Sequence, residues 1–102
     1  MNRWNIPPSL ELEILERDLC CVYCGVEFIA DNPEKGLRRS WEHIINDARI
    51  VTKENIAICC RRCNASKGAK DLRAWLDSDY CTRNGITPAT VAAVIKKALE
   101  TY

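Results

Sequence analysis

Apolar positions recur at helical spacing in three parts of the chain. Leu72, Trp75 and Leu76 stand at i, i+3 and i+4, which predicts an amphipathic helix in DLRAWLDS. The segment TPATVAAVIKKALETY carries a similar stripe and opens on Thr87 as a potential N-cap, so it predicts a C-terminal helix. SLELEILERD also alternates like a strand, but its good helix formers favour a helix capped by Ser9.

Two shorter segments have the composition of β-strands. SWEHII is rich in aromatic and β-branched residues, and IAICC is a short apolar run. RRCNASKG follows the second run directly and is predicted to begin a helix that ends near Gly68. Because the chain has 102 residues and no internal repeat, these elements predict one small α+β domain.

Charge is distributed unevenly along the chain, although the net charge is only +1. Residues 1–34 contain two basic and seven acidic side chains, whereas residues 35–73 contain ten basic and four acidic ones. A basic middle segment suits a phosphate backbone as partner, and a solvated charged surface is an equally good interpretation from charge alone. Since the chain carries neither a signal peptide nor an apolar membrane span, we predict a cytoplasmic protein.

Seven cysteines point to metal binding. An odd number fits a fully paired disulfide framework poorly, and closely spaced thiols in a reducing compartment are typical metal ligands. The pairs Cys21/Cys24 and Cys60/Cys63 have the Cys-x-x-Cys spacing of a tetrahedral zinc site. The alternatives are buried thiols or a redox pair, but a redox pair needs a βαβ unit that the pattern does not offer.

The remaining cysteines allow a second register, in which Cys20 and Cys59 replace Cys21 and Cys60 as ligands. The tighter two-residue spacing favours the first register. We therefore expect Cys20, Cys59 and Cys81 to pack as small apolar side chains.

The single histidine, His43, follows Glu42 in WEHIIND, a predicted strand that lies between the two cysteine pairs. A lone histidine is usually structural, but here a carboxylate precedes it. Asn64 follows the last candidate zinc ligand. If both cysteine pairs meet at one zinc ion, the chain doubles back and brings the His43 strand close to Asn64.

Together, ERDLCCVYCGVEF, SWEHII and ENIAICCRRCNASKG resemble the HNH nuclease superfamily in its zinc-stabilised form. The resemblance covers about residues 12–76 and implies a small α+β treble-clef zinc domain with a ββα-metal core. An N-terminal helix and C-terminal helices would flank this core, with residues 77–102 as a helical extension. Each motif is weak alone, and the combination is specific.

The resemblance implies a role for each matching residue. His43 would be the general base that activates water, and Glu42 a ligand of a catalytic divalent cation. Asn55 would hold the active-site loop, and Asn64 would contribute to the cation site. The implied structural zinc ligands are Cys21, Cys24, Cys60 and Cys63.

This chain departs from the commonest family pattern at three positions. Glu42 stands where Asp is more usual, Asn46 stands where many members have Pro, and the final position is Asn64 rather than His. Glu42 and His43 are also adjacent, and adjacent strand residues point to opposite faces unless the strand bends or ends there.

Phosphodiester hydrolysis makes sense of this set of residues. A neutral imidazole can take a proton from water, and Mg²⁺ or Mn²⁺, which retain several waters, would suit a site with few protein ligands. The cations expected to contact DNA phosphates are Arg61, Arg62, Lys67 and Lys70. We therefore predict a metal-dependent DNA endonuclease with no small-molecule cofactor. The alternative is a non-catalytic zinc module that binds nucleic acid, and a protein-interaction domain would leave the basic segment unexplained.

Overall fold

The two predicted strands form an antiparallel hairpin. The computed structural model describes residues 5–101, and residues 1–4 and 102 lie outside it. Strand β1 is Arg39–His43 and strand β2 is Ile56–Cys60. All five residues of β2 are buried, which identifies it as the centre of the core.

Five α-helices surround this hairpin in the part of the chain that the structure describes. They are α1 (Pro8–Arg17), α2 (Arg61–Lys67), α3 (Leu72–Leu76), α4 (Asp79–Arg83) and α5 (Ala93–Thr101). A short 3₁₀ turn, Lys35–Leu37, precedes β1. The chain therefore forms a small mixed structure of two strands and five helices, and α2 follows β2 without a break.

The start of α1 differs from the prediction. The helix begins at Pro8 with Pro7 at the N-cap position, so the expected cap at Ser9 is wrong. Proline suits the first helical position because its fixed φ is already helical and its missing N–H would be unpaired there anyway. The Glu11 N–H donates to the Pro7 carbonyl at 2.9 Å and closes the first turn.

The C-terminal helix begins later than Thr87. Thr87 Oγ1 instead accepts hydrogen bonds from the N–H groups of Ala89 and Thr90 and closes a separate turn. The Ala92 N–H then donates to the Val22 carbonyl at 2.9 Å, and α5 begins at the next residue, Ala93. The predicted final residue of the helix, 102, lies outside the described residues.

Buried apolar side chains from most elements meet around β2. Ile14 of α1, Ile58 of β2, Trp75 of α3 and Ile95 of α5 are each at most 1% exposed. Within residues 5–101, no helix is both long enough and apolar enough to cross a membrane.

Candidate functional site

The four predicted zinc ligands converge. The Sγ atoms of Cys21, Cys24, Cys60 and Cys63 all lie within 4.8 Å of one another. The Cys24 and Cys60 sulfurs are 3.8 Å apart, and a tetrahedron with Zn–S bonds of about 2.3 Å has sulfur–sulfur edges of about 3.8 Å. The cluster therefore fits a structural zinc ion, and the cysteines that converge are those of the two pairs with two intervening residues.

A glycine turn shapes the first half of this cluster. Gly25 has φ +80°, in the left-handed region, and its N–H donates to the Cys21 carbonyl at 3.0 Å. The Cys24 N–H points at Cys21 Sγ from 3.5 Å. The turn thus directs a backbone donor at a sulfur that a metal would hold as thiolate.

A helix N-terminus shapes the second half. Cys60 is the N-cap residue of α2, and its Sγ accepts a hydrogen bond from the Cys63 N–H at 3.4 Å. A thiolate at a helix N-terminus is stabilised by the positive end of the helix dipole. The junction of β2 and α2 therefore presents a backbone donor to the Cys60 sulfur.

The other three cysteines lie outside the cluster. Cys59 and Cys81 are fully buried, and burial raises the pKa of both thiols, so they remain protonated and unreactive. Cys20 is exposed and pairs with Glu27 in an isolated β-bridge. The prediction that Cys59 and Cys81 pack in the interior is therefore confirmed, whereas for Cys20 it is wrong, because that side chain lies at the surface.

Tyr80 is a neighbour of the cluster that sequence spacing did not reveal. Its hydroxyl lies 3.2 Å from Cys63 Sγ, and its ring stacks on Trp75 with 6.0 Å between centroids. Hydrogen bonds to metal-bound thiolates orient them and tune the site. Helix α4, which carries Tyr80, has no periodic apolar pattern, so no signal in the sequence pointed to it.

His43 is the last residue of β1 and is 7% exposed. Burial lowers its pKa below the ordinary value of 6.5, and the charge of Lys67 lowers it further, while the carboxylate of Asp47 acts in the opposite direction. The imidazole is therefore mainly neutral at neutral pH. A neutral imidazole can accept a proton.

Glu42 is buried and bonded inside the protein. It is 4% exposed, and its Oε2 accepts a hydrogen bond from the Tyr23 hydroxyl at 2.6 Å and lies 3.2 Å from Lys67 Nζ. Burial raises the pKa of Glu42, whereas Lys67 and the Tyr23 hydroxyl lower it. The carboxylate is thus held as one partner of a buried ion pair.

Lys67 does not lie where the sequence predicted it. Its side chain is 0% exposed, and Nζ donates to the Ile44 carbonyl at 3.0 Å as well as facing Glu42. An ammonium so enclosed cannot contact a DNA phosphate in this structure, so that prediction for Lys67 is wrong. Arg61, Arg62 and Lys70 are exposed.

Asn55 braces the loop that follows His43. Its Oδ1 accepts from the Ile45 N–H at 2.7 Å, and its Nδ2 donates to the carbonyls of Ile45 and Ile50 at 3.2 and 3.1 Å. The Asn55 carbonyl also accepts from the Ile44 N–H. These bonds hold residues 44–50 against the start of β2, and any catalytic consequence stays a prediction.

Asn64 reaches from α2 to β1, nearer the start of the strand than His43. Its Nδ2 donates to the Ser40 hydroxyl and, at 3.3 Å, to the Trp41 carbonyl. These contacts occupy the amide nitrogen and leave Oδ1 as the atom that could bind a cation.

The described residues do not form a ready second metal site. The four cysteines are the only group of three or more His, Cys, Asp or Glu side chains within residues 5–101 that is close enough to hold an ion. Glu42 is bound to Lys67, and Asn64 contacts Ser40. The residues expected to bind a catalytic cation therefore do not fit one in this arrangement.

No protein-family model matches the chain, and neither a curated protein nor a solved structure is significantly similar to it. The case for a function therefore depends on the residues and the geometry themselves.

Proposed function

We propose that this protein is an endonuclease of HNH type that hydrolyses phosphodiester bonds in DNA. Its β1–β2–α2 unit would be a ββα-metal core on a treble-clef zinc site. One observation carries the proposal. His43, an imidazole that is mainly neutral at neutral pH, ends a strand beside a loop that Asn55 holds with three side-chain hydrogen bonds.

In the proposed reaction, His43 takes a proton from a water molecule whose oxygen attacks the phosphorus. The bond from phosphorus to the leaving oxygen then breaks, and that oxygen acquires a proton from solvent. Mg²⁺ or Mn²⁺ can supply charge neutralisation in reactions of this class, but Glu42 is paired with Lys67 and Asn64 contacts Ser40, so we assign no step to a cation here.

DNA would approach the end of the hairpin that carries His43. Lys70 lines a pocket of about 260 Å³ together with Ile44, Ile45 and Asn46, the residues that follow His43. Among the three exposed cations predicted to contact phosphates, Lys70 is therefore the one we propose for the phosphate next to the cleaved bond. Arg61 and Arg62 lie beside the start of β1, where they would contact phosphates further along.

The test is plasmid nicking with and without Mg²⁺ or Mn²⁺, comparing wild type with His43→Ala. Loss of a positioned general base typically lowers the rate about 10²–10⁴-fold. We expect this loss with zinc content and DNA affinity unchanged, and Ser9→Ala, an exposed neutral change on α1 that does not line this pocket, serves as the control. Cleavage at the wild-type rate by His43→Ala would refute the assignment.

The second candidate is a non-catalytic zinc module that binds nucleic acid. The observation that favours it is the buried Glu42–Lys67 pair, because a carboxylate used structurally is not available as a cation ligand. A wild-type protein that binds DNA but cuts none with Mg²⁺, Mn²⁺ or Co²⁺ would support this function and exclude the nuclease.

A further inference from the structure

We propose that Tyr23, Glu42 and Lys67 form a buried clamp that positions His43 and connects it to the cysteine cluster. These three side chains make up the clamp. This inference deepens the proposed function, on which the importance of His43 rests. The contacts themselves, however, belong to the fold and can be tested without any cleavage assay.

Lys67 holds the chain on both sides of His43. Its Nζ lies 3.2 Å from Oε2 of Glu42, the preceding residue, and donates to the carbonyl of Ile44, the following residue, at 3.0 Å. One ammonium group therefore restrains the strand end at two adjacent points. Because the orientation of the imidazole depends on the backbone of His43, these two contacts make Lys67 a positioning residue for His43.

Burial makes the clamp restrictive. Lys67 is 0% exposed and Glu42 is 4% exposed, so neither charge can exchange its partner for water without opening the core. Removal of one member of such a pair leaves the other charge buried without compensation. Few alternative arrangements satisfy both charges, and the strand end is accordingly held in one position.

Tyr23 extends the clamp to the candidate zinc site. It stands in the turn between the ligands Cys21 and Cys24, is 1% exposed, and donates its hydroxyl to Glu42 at 2.6 Å. Its ring meets Trp75 edge-on with 4.8 Å between centroids. The hydroxyl can therefore move little unless the cysteine turn moves too, and the state of that turn is transmitted to β1.

The clamp gives Glu42 a role other than cation binding. Both of its observed partners, Tyr23 and Lys67, approach the same oxygen, Oε2, from inside the protein. We infer that Glu42 is the counter-ion that allows Lys67 to be buried. Glu42→Gln should therefore leave the concentration of Mg²⁺ or Mn²⁺ needed for half-maximal cleavage within about twofold of wild type. A rise of tenfold or more in that concentration would contradict this assignment.

The decisive measurement is amide hydrogen exchange on zinc-loaded protein. The Ile44 N–H donates to the Asn55 carbonyl and the Ile45 N–H donates to Asn55 Oδ1, so both amides report on the strand end. The Ile58 N–H, in the middle of β2, serves as the internal reference because it donates to Asp18. A change that weakens the whole fold accelerates all three amides together, whereas loss of positioning accelerates only the first two.

The variants are Lys67→Met and Tyr23→Phe, with Lys96→Met as the control. Lys96 is an exposed lysine on α5 that does not line the pocket beside Ile44 and Ile45. We expect exchange at Ile44 and Ile45, relative to Ile58, to rise about tenfold or more in Lys67→Met and roughly threefold in Tyr23→Phe. The ratio in Lys96→Met should equal that of wild type.

Wild-type exchange ratios in folded, zinc-loaded Lys67→Met would overturn the clamp. If Lys67→Met does not fold, Tyr23→Phe decides, since it removes only a hydroxyl, and an unchanged ratio there would overturn the link to the cysteine turn. Failure of the wild type to cleave DNA would sink the proposed nuclease and leave these ratios as they are. The two proposals can therefore fail separately.

Discussion

Glu42 and His43 are adjacent, and burial shifts their pKa values in opposite directions. It raises the pKa of the carboxyl and lowers the pKa of the imidazole, so each is pushed towards its neutral form. The positive charge of Lys67 lowers both pKa values, which favours the ionised form of Glu42 and the neutral form of His43. The same ammonium that pairs with the acid thus helps to keep the neighbouring base neutral.

This lowered pKa of His43 predicts a dependence of stability on pH. The unfolded chain takes up a proton at His43 near the ordinary value of 6.5, whereas the folded protein does so only at lower pH. The contribution of neutral His43 to the free energy of unfolding is therefore complete above that pH. It decreases as the pH falls below that value, by less than about 1.4 kcal/mol per pH unit.

Urea unfolding of wild type and His43→Gln between pH 5 and pH 8 measures this dependence. The difference between the two free energies of unfolding cancels the other titrating groups. This difference should stay constant above the ordinary pKa of histidine, and below it the wild type should lose stability relative to His43→Gln. A difference that moves in favour of the wild type on acidification would show that the folded protein prefers the imidazolium.

At the scale of elements, the cysteine turn depends on one glycine. Gly25 adopts φ +80°, where a side chain is strained although nothing lies within 4 Å of its absent Cβ. Gly25→Ala should lower the free energy of unfolding by about 1–2 kcal/mol and weaken zinc binding, since the turn that presents Cys21 and Cys24 would be strained. Chemical denaturation and competition with a zinc chelator measure the two effects.

Gly36→Ala is the matched control for that substitution. Gly36 has no positive φ, and an added Cβ would meet only the Arg62 side chain, at 3.6 Å, an ordinary contact. It should stay within about 0.5 kcal/mol of wild type, as surface substitutions usually do. Equal losses in the two variants would mean that glycine at these positions matters for a reason other than backbone conformation.

Elements with a strong local signal were predicted, and those set by distant contacts were not. Aromatic and β-branched residues identified β1, a short apolar run identified β2, and Leu72, Trp75 and Leu76 identified α3. The residue before α5, Ala92, is bonded to Val22, which lies 70 positions away, and no local pattern could reveal that contact.

The same division applies to the candidate site. Cysteine spacing is a local signal, and it located the four cysteines that cluster and could hold a metal ion. The burial of Lys67 against Glu42 is a tertiary result, because a lysine between Ser66 and Gly68 looks solvent-exposed in a sequence. Its charge was therefore assigned to a DNA phosphate when it belongs to the interior.

At the scale of the whole molecule, basic side chains gather at the end of the hairpin opposite His43. Arg39 pairs with Cys60, and the Arg61 N–H donates to the Arg38 carbonyl, which brings the start of β1 next to the start of α2. Four residue steps along β1 separate Arg39 from His43, a distance of about 13 Å. A duplex bound along this strand would place several phosphates between the two ends.

Charge reversal tests this surface. The pair Arg61→Glu and Arg62→Glu should weaken DNA binding for all sequences alike and reduce the slope of log affinity against log salt by about one per lost phosphate contact. Lys96→Glu and Lys97→Glu, two exposed changes on α5, provide a control of the same net charge. Fluorescence anisotropy with a labelled duplex between 50 and 200 mM salt measures both, and equal effects of the two pairs would remove the case for this surface.

The 3.8 Å separation of Cys24 and Cys60, which are 36 positions apart, also bears on the order of folding. Closing a flexible loop of that length opposes chelation by about 3 kcal/mol of chain entropy. When the hairpin is already formed, Arg39 lies opposite Cys60 and the open segment shrinks to the 15 steps from Cys24 to Arg39. The entropic barrier then falls by about 0.8 kcal/mol, so joining the two cysteine pairs costs less chain entropy once the hairpin that carries His43 has formed.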